Sequence, residues 1–411
     1  MTYDVMIVGG GAAGLAAAVF LTREKPGCRV LVLEKNPRVG KKLMATGNGT
    51  CNLTNVTATV ADYHGAPELA KKALEALTVP QTLAFFTSIG VDCVTRADGK
   101  VYPASEQAGS VLDALRLTAE ASGVTMLCEK KVERLQKNKN GWCAVVEGET
   151  YAAPYVLVTV GGAAAPALGG SAEGYRLLTD LGCQKTPLFP SIVQLRTATD
   201  FVRSVKGIRV DTTLTLKRDG REVARNTGEV LFTDYGLSGP AVMQISRPVA
   251  DWERQKKGTV TAHLDLLPDW EPGTLGQRIV ERSHLPGRTL EDLLTGLVHK
   301  RVGQTVLRVA EVLPLTRPAD SLTGAEAARI AATLKDWCLS VTGTQGFGGA
   351  QVTAGGIDAA EVDSATFALR RLPGVYAVGE VLNVDGNCGG YNLQFAWSSA
   401  YVAAKAIAKK L

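Results

Sequence analysis

The chain has 411 residues, 45% of them apolar and 21% charged, which suits a folded protein of two or three domains and leaves little room for long disorder. Its net charge of +5 is mild at this length, with no run of five like charges and no basic–aromatic interleaving, so composition argues against nucleic-acid binding. The 44 glycines are clustered, not periodic, which excludes a collagen-like repeat and points to close backbone approach to a ligand.

The first element is a short buried strand over residues 3–8. A glycine turn follows, Gly9-x-Gly11-x-x-Gly14, and then an Ala-rich helix from Leu15 to Arg23. A second apolar strand, Arg29 to Leu33, ends at Glu34, 20 residues after Gly14. Strand, glycine turn, helix, strand and terminal acid together form a dinucleotide-binding fingerprint; the glycines alone would be a weak signal. Gly9 permits the tight turn, Gly11 lets backbone amides approach a pyrophosphate, and Gly14 lets the helix pack on the strand. The helix N-terminus offers unpaired amides to phosphate, and Glu34 would accept the ribose hydroxyls, which disfavours a 2′-phosphate in this site.

Residues 36–55 are too polar for a core element. Gly40-Lys-Lys-Leu-Met-Ala-Thr-Gly-Asn-Gly-Thr-Cys-Asn-Leu-Thr-Asn55 joins glycines for close approach to donors and acceptors at Thr46, Asn48 and Asn52, and Lys41 or Lys42 is placed to face a pyrophosphate. Ser110 to Glu120 reads as an amphipathic helix, and Glu129 to Leu135 with Trp142 to Val146 as a hairpin. Tyr155 to Val160 is another buried strand, running into Gly161-Gly162. After Pro187 the pattern changes to alternating strand material, as in residues 212–217 and 259–264, and then from about 272 to helical segments over 290–302, 305–313 and 324–339.

The glycine-rich style returns near 345. Val378-Gly-Glu-Val-Leu-Asn-Val-Asp-Gly-Asn-Cys-Gly-Gly-Tyr-Asn392 leads into an Ala-rich helix ending near Lys409, and Gly389-Gly390 at its N-terminus suits the pyrimidine edge of a flavin. The fold class expected is α/β. A Rossmann-type domain (1–187 with 345–411) is interrupted by a β-barrel-like insert (188–270) and a helical insert (271–344).

Three of these segments, Gly9–Leu15, Gly40–Asn55 and Gly379–Asn392, with Gly236–Ala241 and Ala350–Gly356, resemble the BaiN/RdsA-like family of NAD(P)/FAD-dependent oxidoreductases, also described as aminoacetone-oxidase-type flavoproteins. The resemblance spans essentially the whole chain. It implies bound FAD, with contacts at Gly9, Gly11, Ala12, Ala13, Gly14, Glu34, Lys35, Lys41, Gly47, Asn48, Gly49, Cys51, Asn52, Val132, Thr159, Gly161, Gly379, Glu380, Gly390, Tyr391 and Asn392. Two positions depart from the family pattern: Thr50 stands where arginine is usual, and Asn383 where aspartate is common.

The same resemblance implies reduction of a C=C bond conjugated to a ketone in a steroid- or bile-acid-like substrate. That reaction needs hydride at the β-carbon and a proton at the α-carbon. Tyr391 is the first candidate for the proton, with Tyr235 behind it. No second nucleotide fingerprint is present, since Gly169–Gly174 has the wrong spacing, so NADH or NADPH would dock transiently. An oxidase of a small amine or alcohol using O₂, and an RNA-linked flavoprotein, are the alternatives.

The eight cysteines form no Cys-x-x-Cys pair, so neither a dithiol relay nor a zinc ribbon is expected and no metal is assigned. The partner expected is an apolar ketone-containing small molecule, without nucleic acid or membrane. No charge-free apolar span of membrane length occurs, and a cytoplasmic protein is expected.

Overall fold

The computed structural model describes residues 3–411, which divide into two compact units: the chain up to Pro190 together with Ala350–Leu411, and Ser191–Gly349.

The first unit opens with β1 (Val5–Val8), α1 (Ala12–Glu24) and β2 (Val30–Leu33). Both strands are four-residue apolar runs buried at every position, the signature of a parallel sheet covered on both faces. Helix α1 is apolar nearly all round, so it is buried, not amphipathic. Helix α2 (Ala108–Ala121), β3 (Thr125–Leu127), a three-stranded meander over 134–153, and β4 (Tyr155–Val158) follow.

In the second unit, β5 (Leu195–Thr197), β6 (Arg209–Arg218), β7 (Arg221–Phe232), β8 (Gly236–Ser238), β9 (Val260–Asp265) and β10 (Trp337–Thr344) close a barrel in the order β5-β8-β7-β6-β9-β10. Period-two alternation sends Leu214, Leu216, Ala262, Leu264 and Leu339 inward, where Phe232 and Trp337 stack at 5.4 Å. Helices α3 (Pro272–Ser283), α4 (Lys300–Val309) and α5 (Gly324–Lys335) lie between β9 and β10 in sequence. Their Leu275, Ile279, Val306 and Ile330 share one core with the barrel residues. No separate helical body exists over 271–344: Trp337–Thr344, which the helical periodicity had absorbed, is the strand that closes the barrel. The run 290–302 likewise holds only a short 3₁₀ turn at Leu290–Asp292 and the start of α4.

The chain then returns to the first unit with β11 (Val375–Ala377) and α6 (Tyr391–Ala408). The parallel sheet runs β11-β4-β1-β2-β3, and α1 packs along α6. The α/β architecture read from the sequence, a Rossmann-type sheet plus a β-barrel with helices, is the architecture found. No helix among the described residues is long and apolar enough to cross a membrane.

Candidate functional site

Four parallel strands release the chain at one edge of the sheet. Gly9 follows β1, Glu34 follows β2, Thr159 to Gly161 follow β4, and Val378 to Glu380 follow β11. This carboxyl edge is where open α/β sheets bind ligands, and most of the positions expected to contact a dinucleotide fall on it.

Gly9 has φ +109° and a Cβ there would lie 2.6 Å from the Thr159 carbonyl oxygen. The Thr159 hydroxyl donates to the carbonyls of Val8 (3.0 Å) and Gly9 (2.6 Å), binding the turn to β4. At Gly14 a Cβ would stand 2.0 Å from the Gly9 carbonyl oxygen, so this glycine is fixed by helix–strand packing. Gly11 differs from both: nothing lies within 4 Å of its Cβ position. It is the N-cap of α1, and no side chain caps that terminus. Thirteen residues of helix therefore present unpaired amides to an open space lined by glycine.

Glu34 is buried beside this turn. Its Oε2 accepts the Gly10 N–H at 2.8 Å, and its Oε1 accepts the backbone and side-chain N–H groups of Asn36 at 2.8 and 2.6 Å. Oε1 is thus filled, and Oε2 keeps acceptor capacity for a hydroxyl donor. Neither Gly10 nor Asn36 was singled out from sequence, although the unbroken Gly9-Gly10-Gly11 run was a signal. Lys130 donates its backbone N–H to the Glu34 carbonyl at 2.8 Å, which brings the segment holding buried Val132 alongside β2. Lys35 is exposed.

Lys42, not Lys41, carries the polar contact of the second glycine loop. Its ammonium lies 2.8 and 3.1 Å from the Glu380 carboxylate oxygens, with both side chains partly shielded from solvent. Glu380 Oε1 also accepts the Thr353 N–H at 2.8 Å, and the Thr353 hydroxyl accepts the Ala164 N–H at 2.9 Å. Thr353 was not anticipated as a site residue; its place inside the Ala350–Gly356 motif was the available signal. The Gly161 Cβ position meets only Glu380 Oε2, at 4.0 Å, so the space beside the carboxylate is open.

Within that loop Gly47 and Asn48 adopt left-handed conformations (φ 57° and 55°), as does Cys51 (φ 58°). Gly49 has open space at its Cβ position. Cys51 is fully buried, and burial pushes its thiol up to about 12. It is a packed side chain, not a nucleophile.

Helix α6 starts at Gly390 (φ +97°), again without a side-chain cap. With its amide oriented to satisfy both ends, Asn52 donates to the Thr54 and Val101 carbonyls and accepts the Gly390 N–H at 3.3 Å. Deeper along the helix, Trp397 Nε1 donates to the Leu53 carbonyl at 3.0 Å. The buried Gln394 accepts from the Thr54 hydroxyl (2.6 Å) and donates to the hydroxyls of Thr82 and Ser398 (both 2.8 Å). Residues 51–55 are thus bound to α6 along its first two turns.

The Asn392 side chain binds the loop before α6. Its Oδ1 accepts the Gly386 N–H at 2.8 Å and its Nδ2 donates to the Gly386 carbonyl at 2.9 Å, holding the preceding loop closed. Tyr391 is buried, with its ring edge-on to Tyr63 at 6.3 Å and its carbonyl accepting the Tyr63 hydroxyl at 2.9 Å. Burial raises its phenol above the ordinary tyrosine value, against the opposing effect of a hydrogen bond with Thr57. Tyr235, the second candidate for the proton, lies in the other unit, where its carbonyl accepts the Thr197 N–H at 3.0 Å.

Two uncapped helix N-termini on glycine, a buried carboxylate with a spare lone pair and open Cβ positions at Gly11 and Gly49 fit a bound dinucleotide. Among the described residues no cluster of three His, Cys, Asp or Glu could hold a metal ion.

The HI0933-like protein Rossmann domain model matches residues 3–406. The chain is 35% identical over 408 residues to a protein of Clostridium scindens (strain ATCC 35704 / DSM 5676 / VPI 13733 / 19) named 3-dehydro-bile acid delta(4,6)-reductase, covering 98% of each chain. It is 28% identical over 407 residues to a protein of Escherichia coli (strain K12) named ribosomal RNA dihydrouridine synthase, covering 98% of this chain and 97% of the other. Among solved structures, 3-ketosteroid delta1-dehydrogenase from Sterolibacterium denitrificans, in complex with 1,4-androstadiene-3,17-dione, aligns over 100% of both chains. Its TM-score is 0.54 and its identity 13%, a likeness of fold alone.

Proposed function

Because the chain belongs to the HI0933-like Rossmann-domain family, the family its glycine motifs resemble, we propose that it is an FAD-dependent oxidoreductase. Its reaction is the reduction of a C=C bond conjugated to a carbonyl, with NADH or NADPH docking transiently as hydride donor. The observation that carries this reading is the gathering of four strand ends at one edge of the sheet, where the uncapped α1 N-terminus opens on Gly11 beside the buried Glu34. When bound, FAD supplies hydride transfer. The protein's part is binding, orientation and a proton.

The α1 amides and Gly11 would hold the pyrophosphate, Glu34 would accept the adenosine ribose hydroxyls, and Val132 would line the adenine end. Glu380, pinned by Lys42 and Thr353, would line the sugar-alcohol chain, and the α6 N-terminus would favour negative charge on the ring system. Tyr391 keeps its proton because burial raises its phenol. It is the group assigned to protonate the α-carbon.

The names of the two relatives share one chemistry. A steroid 4,6-diene ketone and the uracil C5=C6 bond are both alkenes conjugated to a carbonyl. A steroid-like substrate is favoured over RNA because the relative named for a bile-acid substrate is the more similar of the two, 35% identical against 28%.

The test is anaerobic reduction of the purified flavoprotein with NADH or NADPH, followed by reoxidation with a Δ4-3-ketosteroid, a uridine-containing RNA, or O₂. Rapid reoxidation by the steroid supports the proposal. Reoxidation by RNA alone transfers the reaction to a nucleic-acid substrate, and reoxidation by O₂ alone favours the oxidase reading.

A further inference from the structure

On the outer face of the barrel, β9 and β10 pair in a register that sets His263 directly opposite Cys338. Cross-strand partners have Cβ atoms about 5 Å apart on one side of the sheet. The imidazole Nδ1 lies 2.6 Å from Asp336 Oδ1, and Nε2 lies 2.9 Å from the Thr261 hydroxyl and 3.8 Å from Cys338 Sγ. With Nδ1–H donating to the carboxylate, the Nε2 lone pair faces both the Thr261 hydroxyl and the thiol, and the thiol takes it when that hydroxyl turns away. Nucleophile, base and orienting acid stand in the relation that activates side-chain nucleophiles elsewhere.

Of the eight cysteines, Cys338 is the most exposed, and it is the sole cysteine of its unit. The charged groups that act on it are Asp336 before β10 and Lys217 on β6, while Arg225 and Glu222 stand on β7, on the far side of β6. We propose that Cys338, His263 and Asp336 form a nucleophilic thiol site on the barrel surface that takes up small disulfides by exchange.

Burial and Asp336 hold the thiol protonated, with Lys217 opposing them, so the nucleophile arises by proton transfer at the moment of attack. His263 Nε2 removes the proton as Sγ attacks one sulfur of the disulfide. A bond forms between Cys338 Sγ and that sulfur, the original S–S bond breaks, and the departing thiolate takes the proton from His263. The products are a mixed disulfide on Cys338 and one small thiol; the disulfide is the oxidant. No second cysteine lies in the unit to resolve it, so the adduct persists until an external thiol removes it.

The experiment treats the native, full-length protein with dithiodipyridine, and separately with glutathione disulfide, and maps the adducts by peptide mass spectrometry. The expected result is modification of Cys338 before the other cysteines. The rate should fall at least about tenfold in His263→Ala and Asp336→Asn, and added imidazole should restore it in His263→Ala. A different cysteine reacting first, or an unchanged rate in both variants, overturns the proposal. If His263→Ala does not fold, Asp336→Asn decides it by the same criterion. Cys338→Ser, which should take up no label at that peptide, confirms the site.

Discussion

The Lys42 ammonium lies 2.8 Å from the Glu380 carboxylate across 338 positions of sequence, joining the second glycine loop to the turn after β11. Neither partner is fully exposed, so the pair retains more of its attraction than a surface pair would. Replacing either residue by its neutral counterpart, Lys42→Gln or Glu380→Gln, should weaken FAD binding about tenfold while costing about 1 kcal/mol or less in stability. Fluorescence titration of the apoprotein measures the first effect and thermal melting the second. The double variant should lose less than the sum of the two single losses; strict additivity would show that the pair does not act as one unit.

Gly11 and Gly14 should separate binding from folding. A methyl group at Gly14 would stand 2.0 Å from the Gly9 carbonyl oxygen, so Gly14→Ala should destabilise the fold by roughly 2 kcal/mol or more. Gly11→Ala meets no atom within 4 Å and should leave the melting temperature near wild type, yet its methyl would occupy the space assigned to pyrophosphate. Flavin content measured beside thermal melting checks both, and a Gly11→Ala protein that keeps full flavin would refute the assigned phosphate position.

Tyr391→Phe should retain its flavin and its reduction by NAD(P)H, while enone-driven reoxidation slows on the order of a hundredfold. The phenol's value is raised, so the proton is present throughout the neutral range and is lost only above the ordinary tyrosine value of about 10. Stopped-flow traces of wild type should therefore show no limb from this group between roughly pH 6 and 9. Equal reoxidation rates in the two proteins would remove Tyr391 from the chemistry.

Cys51 should prove structural. Cys51→Ala leaves a small cavity at a fully buried position and should cost about 1–2 kcal/mol without altering enone reduction. The thiol's folded value is raised from 9.0 to about 12, so its stabilising contribution is complete below 9 and is lost as pH rises toward 12. The gap between wild type and Cys51→Ala in denaturant unfolding should accordingly narrow across that window. A constant gap would mean that the thiol is not held protonated in the fold.

Gln394→Leu should destabilise by about 3 kcal/mol, because the Thr54, Thr82 and Ser398 hydroxyls would each lose a buried partner. The loss should appear in thermal melting of the apoprotein as well as the holoprotein. An effect confined to the holoprotein would assign Gln394 to the cofactor.

What was legible in sequence was local. Four-residue apolar runs at β1, β2 and β4 identify buried parallel strands because both faces must be covered, and the glycine spacing with Glu34 identifies the turn because each glycine answers a different steric demand. The strand Trp337–Thr344 escaped because it follows α5 after a single residue and continues an apolar pattern that also suits a helix. The loop closure that the Asn392 amide makes with the carbonyl and N–H of Gly386 was not legible, because side-chain-to-backbone bonds leave no periodic signal.

The sequence by itself determined the α/β class, the dinucleotide turn and the loops that surround it, since these depend on residues within a few turns of one another. Only the tertiary structure decided that Lys42 meets Glu380, that Asn52 receives the Gly390 amide, and that β9 and β10 set His263 against Cys338. Such pairings depend on strand order and register, and a shift of one residue would turn each strand's side chains to the opposite face.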